Sequence, residues 1–128
     1  MPWTSCSIRT PSSGGCWTPR ACPARAAEIL RSTANRVVVS AVVARELAIK
    51  INAGKIQPPT LISGLQAAMA KQLFGEIPIT LEHAVKAGLT LHHRDPFDRL
   101  LVAQAQLLNL PILSADRGLD EYDVRRIW

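Results

Sequence analysis

Cysteine is absent after Cys22, acidic residues are absent before Ala24, and no part of the chain holds a long apolar run. Each absence excludes something. A membrane-spanning helix needs roughly eighteen or more consecutive apolar residues, and no such stretch occurs. No apolar segment follows Arg9, so the head does not read as a secretory signal, and the cytoplasm is the expected compartment. Cys6, Cys16 and Cys22 are irregularly spaced and form no Cys-x-x-Cys pair, which argues against a zinc site. One tyrosine and two phenylalanines offer little surface for stacking bases, which weakens the reading as a metal-free RNA-binding domain.

What is present suits one compact α/β domain. A length of 128 residues supports one core and not two, and 48% of the residues are apolar. The formal charge of +5 suits a polyanionic partner such as RNA, although charge alone does not specify one.

Composition divides the chain. Residues 1–23 hold all three cysteines, two of the three tryptophans and four of the nine prolines. They include Arg9 and Arg20, and Ile8 is their single aliphatic residue larger than alanine. Such a head fits a transit segment or a tail punctuated by proline and glycine. From Ala24 onward the sequence is that of an ordinary globular domain. The expected organisation is an aberrant, poorly ordered segment over 1–23 and a folded domain over 24–128.

The body alternates helices with strands. Residues 24–32 form an expected amphipathic helix with Ala26, Ala27, Ile29 and Leu30 available for burial. Residues 37–40 are a β-branched run of the kind found in buried parallel strands. Ser40 then caps a helix running to Asn52, with Gly54 as its stop. Pro58-Pro59 marks a loop, and residues 61–74 carry apolar side chains at helical spacing. Residues 77–80 read as briefly extended, and Thr80 starts a helix that stops at Gly88. Asp95-Pro96 opens another, because aspartate favours the N-cap and proline the first helical position; it is expected to bury Phe97, Leu100, Leu101 and Leu108. Residues 110–114 and 124–128 are the remaining strands. This alternation implies a parallel sheet flanked by helices.

Ligands of open parallel sheets bind beyond the carboxyl ends of the strands. Asp116 follows one strand closely, and Asp98 lies in the first turn of its helix. Glu46 shares a helix face with Val42, Val43 and Ile49, where a lone carboxylate is costly unless paired or metal-bound. Each acid also has an ordinary use. Asp98 can favour the helix N-terminus, Asp116 can serve a turn, Glu46 can reach water from the edge of its stripe, and Asp95 reads as a cap. His92 and His93 read as a solvated loop pair that can also meet metal or phosphate. If Glu46, Asp98 and Asp116 converge, they make a hard oxygen site for Mg²⁺ or Mn²⁺, suited to activating water against a phosphodiester.

The run His92-His-Arg-Asp-Pro-Phe-Asp-Arg-Leu-Leu-Val-Ala-Gln-Ala105 resembles the stretch of PIN-domain ribonucleases that carries the third acidic position. Leu110-Pro-Ile-Leu-Ser-Ala-Asp-Arg117 is similar to the strand and fourth acid, and Val39-Ser-Ala-Val-Val-Ala-Arg-Glu-Leu-Ala-Ile-Lys50 to the helix with the second. The resemblance, to the VapC toxin type, covers most of residues 24–128 in order. It implies a PIN-like α/β fold and Mg²⁺-dependent (or Mn²⁺-dependent) endonucleolytic cleavage of RNA. It also implies homodimerisation, a cognate antitoxin, and Glu46, Asp98 and Asp116 as the metal-site acids that carry catalysis.

One part of the pattern is missing. The family opens with a central hydrophobic strand ending in aspartate, typically Leu-Leu-Asp-Thr-His, whereas Ser5-Cys-Ser-Ile-Arg-Thr10 stands here. Moving the reading frame back by one nucleotide makes the first two bases of each present codon the last two of a new one. With first bases selected by the resemblance, residues 6–22 then read LLDTHAFLWWLLDSPRL. The missing aspartate codon straddles Ser7 and Ile8, and the frame is restored near Cys22-Pro23, where the composition changes. The chain as written is therefore expected to be impaired in activity and in stability. The alternative is a non-catalytic, decayed toxin that still binds its antitoxin.

Overall fold

Two short parallel ladders and the helices around them carry the described fold. The computed structural model describes residues 23–54, 66–67, 69–71, 73–89, 95–114 and 116–128. The elements are α1 (Ala24–Arg31), β1 (Val38–Ser40), α2 (Ala41–Asn52), β2 (Gly75–Ile77), α3 (Leu81–Leu89), α4 (Pro96–Leu108), β3 (Ile112–Leu113), a 3-10 helix (Arg117–Glu121) and β4 (Arg126–Ile127). The chain is an α/β protein, as its alternating pattern implies. The head over 1–22, Pro58-Pro59 and the pair His92 and His93 lie outside the described residues, as does most of the helix expected over 61–74.

The helix ends follow from local chemistry. The Ser40 hydroxyl accepts the Val42 amide at 3.1 Å and starts α2. Gly54, just past the end of α2, has φ 71°, a conformation that costs glycine little because it has no Cβ. Asp95 accepts the Phe97 amide at 2.9 Å, with Pro96 at the first helical position of α4. The Thr80 hydroxyl accepts the His83 amide at 3.2 Å and opens α3. That helix continues through Gly88 to Leu89, so glycine does not end it as expected. A glycine weakens a helix by only about 1 kcal/mol, which packing against a neighbouring helix can override.

β1 pairs with β2 in parallel, Val38 opposite Gly75 and Ser40 opposite Ile77. A Cβ on Gly75 would stand 3.1 Å from Val38 Cγ1, so the two strands approach closely there. β2 starts earlier than the extended stretch expected over 77–80, and it ends before Pro78, which has no amide to donate. β3 pairs with β4 in parallel, Ile112 opposite Arg126 and Leu113 opposite Ile127. Among the described residues these are separate two-stranded sheets, where the alternation implied one continuous sheet.

The core explains how the halves are held. Ala26 and Leu30 of α1 pack with Val37 before β1, Leu113 of β3 and Ile127 of β4. A second cluster joins Leu101, Val102 and Ala105 of α4 to Ile112, Leu119 and Tyr122. A third holds Val39, Val43 and Leu47 together. The expected burial along α4 is only partly found. Leu101 is buried, Phe97 and Leu100 are half-buried, and Leu108 is 44% exposed. The middle of α4 is enclosed instead, from Leu101 to Ala105; α3 and α2 both pack against the helix, and Leu107 and Leu108 in its last turn stay exposed. Ile49 of α2 is likewise exposed, and the buried stripe there is Val42, Val43, Glu46 and Leu47. No helix among the described residues is long and apolar enough to cross a membrane.

Candidate active site

Glu46, Asp98 and Asp116 stand on three different elements, and each has a distinct setting. Glu46 lies in the middle of α2 at 5% exposure, and its carboxylate meets Lys50 one helical turn later at 2.8 Å. It therefore does not extend freely to water from an outer edge of the helix. An i,i+4 glutamate-to-lysine pair is favourably oriented on a helix. The lysine supplies the countercharge that a buried carboxylate needs.

Asp98 is more enclosed, at 2% exposure in the first turn of α4. Its charge reaches Tyr122. Burial first, and then the charges of Asp98 and Glu121, push the Tyr122 phenol above its ordinary value, with Arg99 acting in the opposite sense. Arg99 Nε is buried without a hydrogen bond of its own. Asp98, Arg99 and Tyr122 thus form an electrostatic group at the start of α4. Nothing in the sequence spacing places Tyr122 within the field of Asp98, because that requires the 3-10 helix to fold back onto α4, where Tyr122 packs with Leu101 and Ala105.

Asp116 caps the 3-10 helix: its Oδ1 accepts the Gly118 amide at 2.9 Å, while its own amide donates to Ser114 Oγ at 3.1 Å. The hydrogen bond to Asp120 raises the Arg126 guanidinium above its ordinary value, and the charge of Asp116 adds a smaller push in the same direction. Arg126 is anchored by Asp120 at 2.7 and 3.0 Å and donates to the Ser114 carbonyl at 3.0 Å. Asp120 is held below its usual carboxylate range, chiefly by that hydrogen bond.

Asp95 performs the capping role read from its Asp-Pro context. Two buried residues that the sequence did not single out lie between α3 and α4. Gln104 accepts from the Ser40 hydroxyl through Oε1, and its Nε2 donates to the Pro78 carbonyl at 3.2 Å and meets His83 Nδ1 at 3.2 Å. The Thr80 amide also donates to His83 Nδ1 at 3.2 Å. Ser40, His83 and Gln104 are all at most 5% exposed. This network fixes the start of α2, which carries Glu46, against α4, which carries Asp98. A helical stripe pattern flags apolar positions and passes over a buried glutamine, so only a polar residue at a core-facing position hinted at it.

Carboxylate oxygens suit a hard divalent ion, but such a site needs them to converge. Among the described residues no group of three or more His, Cys, Asp or Glu side chains could hold a metal ion. All ten acidic residues of the chain are among those described. The three candidate acids therefore do not fit a three-carboxylate metal centre in this arrangement, and the remaining acids do not complete one. What the elements do provide is two buried carboxylates on helices that pack together, α2 and α4, and a third in the turn after β3.

Comparison with known proteins bears on the same stretch. The family model described as PIN domain matches residues 19–125. No curated protein matches the chain significantly.

Proposed function

The chain belongs to the PIN-domain family, a nuclease-type fold, and from that membership we propose that it derives from a VapC-type toxin, an Mg²⁺-dependent RNA endonuclease. PIN domains typically use a divalent metal such as Mg²⁺. In this chain Glu46, Asp98 and Asp116 are the surviving site acids, and RNA cleavage is impaired. The observation that carries the reading is the distribution of acids. None lies before Ala24, and no three of the ten present group as a metal centre. The remaining residues still do recognisable work: Lys50 balances Glu46, and the Ser40–Gln104 contact ties α2 to α4. The displaced reading frame accounts for the missing acid, because it restores an aspartate across the codons of Ser7 and Ile8.

The test compares this chain with a version whose residues 6–22 are replaced by LLDTHAFLWWLLDSPRL. The restored version is expected to cleave RNA when Mg²⁺ or Mn²⁺ is added, and the present chain to show none or little of that cleavage. Equal metal-dependent cleavage by the two would sink the proposal. Sequencing the DNA across the first thirty or so codons checks the frame account separately. A displaced frame that does not encode Leu-Leu-Asp ends it.

A second reading is favoured by α3. Leu81, Val85 and Leu89 recur along one side of the helix and are 82%, 56% and 74% exposed. Such a stripe is uncommon on a solitary protein and suits a decayed toxin that still pairs with its antitoxin or with a second copy. Antitoxin capture by the present chain, without cleavage by the restored one, would favour this reading over the first.

A further inference from the structure

An open groove of about 750 Å³ lies where α1 ends and β2 begins, at the amino ends of β1 and β2. α2, with Glu46, departs from the other end of β1. Leu30, Met69 and Phe74 supply an apolar floor, and Arg31 and Lys71 stand exposed at the rim. None of the described lining residues is acidic. Ser32, Thr33, Asn35 and Arg36 complete a mixed lining, and a concave surface that pairs apolar side chains with cations is complementary to an anionic ligand that has an apolar body.

Leu73 makes the groove unusual. Two helical stretches of this chain end with the same pair of hydrogen bonds. At the end of α4, the Leu110 amide reaches the Ala105 carbonyl at 2.8 Å and the Asn109 amide reaches Gln106 at 3.3 Å. Before β2, the Phe74 amide reaches Met69 at 2.9 Å and the Leu73 amide reaches Ala70 at 3.4 Å. Both place one residue in the left-handed region, at φ 52° for Asn109 and 57° for Leu73. Asparagine tolerates that conformation, whereas leucine is strained there. The Leu73 side chain gains nothing from its own fold in return, since it is 88% exposed at the edge of the groove. Strained residues of this kind gather at ligand-binding positions.

We propose that this groove docks an acidic amphipathic peptide segment of a partner protein, with Leu73 and the floor taking its apolar side chains and Arg31 and Lys71 its carboxylates. The aliphatic part of the lining favours peptide side chains over RNA bases, since Phe74 is the one aromatic ring among the described lining residues. The excess of positive charge on the whole chain favours an acidic ligand of either kind, so the lining decides between them. The inference does not depend on nuclease descent, because none of the three candidate acids lines the groove.

The test uses the full chain and a short fluorescein-labelled peptide with one leucine face and one glutamate face, read by fluorescence anisotropy. Control peptides replace the glutamates by lysine, or the leucines by serine. The acidic amphipathic peptide is expected to bind at least tenfold more tightly than either control. Leu73→Gly is the sharpest variant, because it relieves the backbone and removes the apolar edge together. It should raise the melting temperature while weakening peptide binding at least tenfold. Arg31→Glu with Lys71→Glu, both at exposed positions, should abolish binding with little change in melting. Binding that is indifferent to these substitutions, or to the leucine face, overturns the proposal. So does complete displacement by a single-stranded RNA that keeps its affinity for Leu73→Gly, or by inorganic phosphate. Self-association in sedimentation velocity that Leu73→Gly abolishes would assign the groove to a second copy, and likewise overturns it.

Discussion

The two half-sheets use the same parallel pairing but are secured by opposite kinds of polar chemistry. β1–β2 is tied to the helices by side-chain hydrogen bonds: those of the buried Ser40, Gln104 and His83, with Gln104 also reaching the more exposed Pro78 carbonyl. β3–β4 is tied at its surface by a charged pair, Arg126 with Asp120, above an apolar cluster containing Leu119 and Tyr122. The contrast concerns what happens when one partner is lost. A buried donor or acceptor left without a partner forfeits its solvation, whereas a surface ion returns to water. The first half is therefore fixed by complementarity that tolerates little change, and the second by burial of Leu119 and its neighbours, with the ion pair as an accessory.

The comparison breaks most visibly at Gln104. Gln104→Leu puts an apolar side chain of similar size in place of the amide and strands the buried Ser40 hydroxyl, so a loss of about 1–3 kcal/mol is expected in denaturant unfolding. A loss close to zero would mean that the network is replaceable by packing, and the contrast between the halves would fail.

Tyr122 gives a smaller effect on the other side, confined to alkaline solution. Its folded-state value lies above the ordinary 10.0, so the folded chain holds the phenolic proton more tightly than the unfolded one. That contribution is complete below the unfolded value and disappears as pH rises through the folded one. Stability should therefore decline above about pH 10 in the native chain, and Tyr122→Phe should flatten that part of the profile. The chain has a single tyrosine, so the phenolate absorbance band reports this ionisation alone. A phenol that titrates at or below its ordinary value would contradict the buried setting within the field of Asp98.

Asp120→Asn should change least. The carboxylate is exposed and its pKa is lowered mainly by Arg126, so its contribution exists above the ordinary 3.8 and fades as pH falls through the lower folded value. Screening by water and salt keeps it small. The melting temperature at neutral pH should scarcely move, and the difference from the native chain should shrink further at high salt. A large drop would show that Arg126, through the Ser114 carbonyl, does more for β3–β4 than the cluster beneath it.

Much of the fold was legible in the sequence because its signals are local. Ser40, Asp95 with Pro96, and Gly54 mark helix ends through backbone hydrogen bonds and allowed dihedrals, and those ends are found where the residues place them. Gly88 misled for the converse reason. Its helical penalty is small and can be overridden by packing of α3 on α4, which lies far off in sequence. Leu108 misled because periodicity identifies an apolar side of a helix without saying how far along the helix its cover extends.

The acids divide in the same manner. Sequence by itself determined the α/β alternation, the family, the lack of any carboxylate before Ala24, and the residue types at Glu46, Asp98 and Asp116. Tertiary structure alone decided that Glu46 is buried against Lys50, that Tyr122 lies within the field of Asp98, and that the three acids do not group as a metal centre. The physical reason is range. Capping and strand propensity act over a few residues of one segment, whereas a charge's surroundings are set by whichever distant segments the packed core brings beside it.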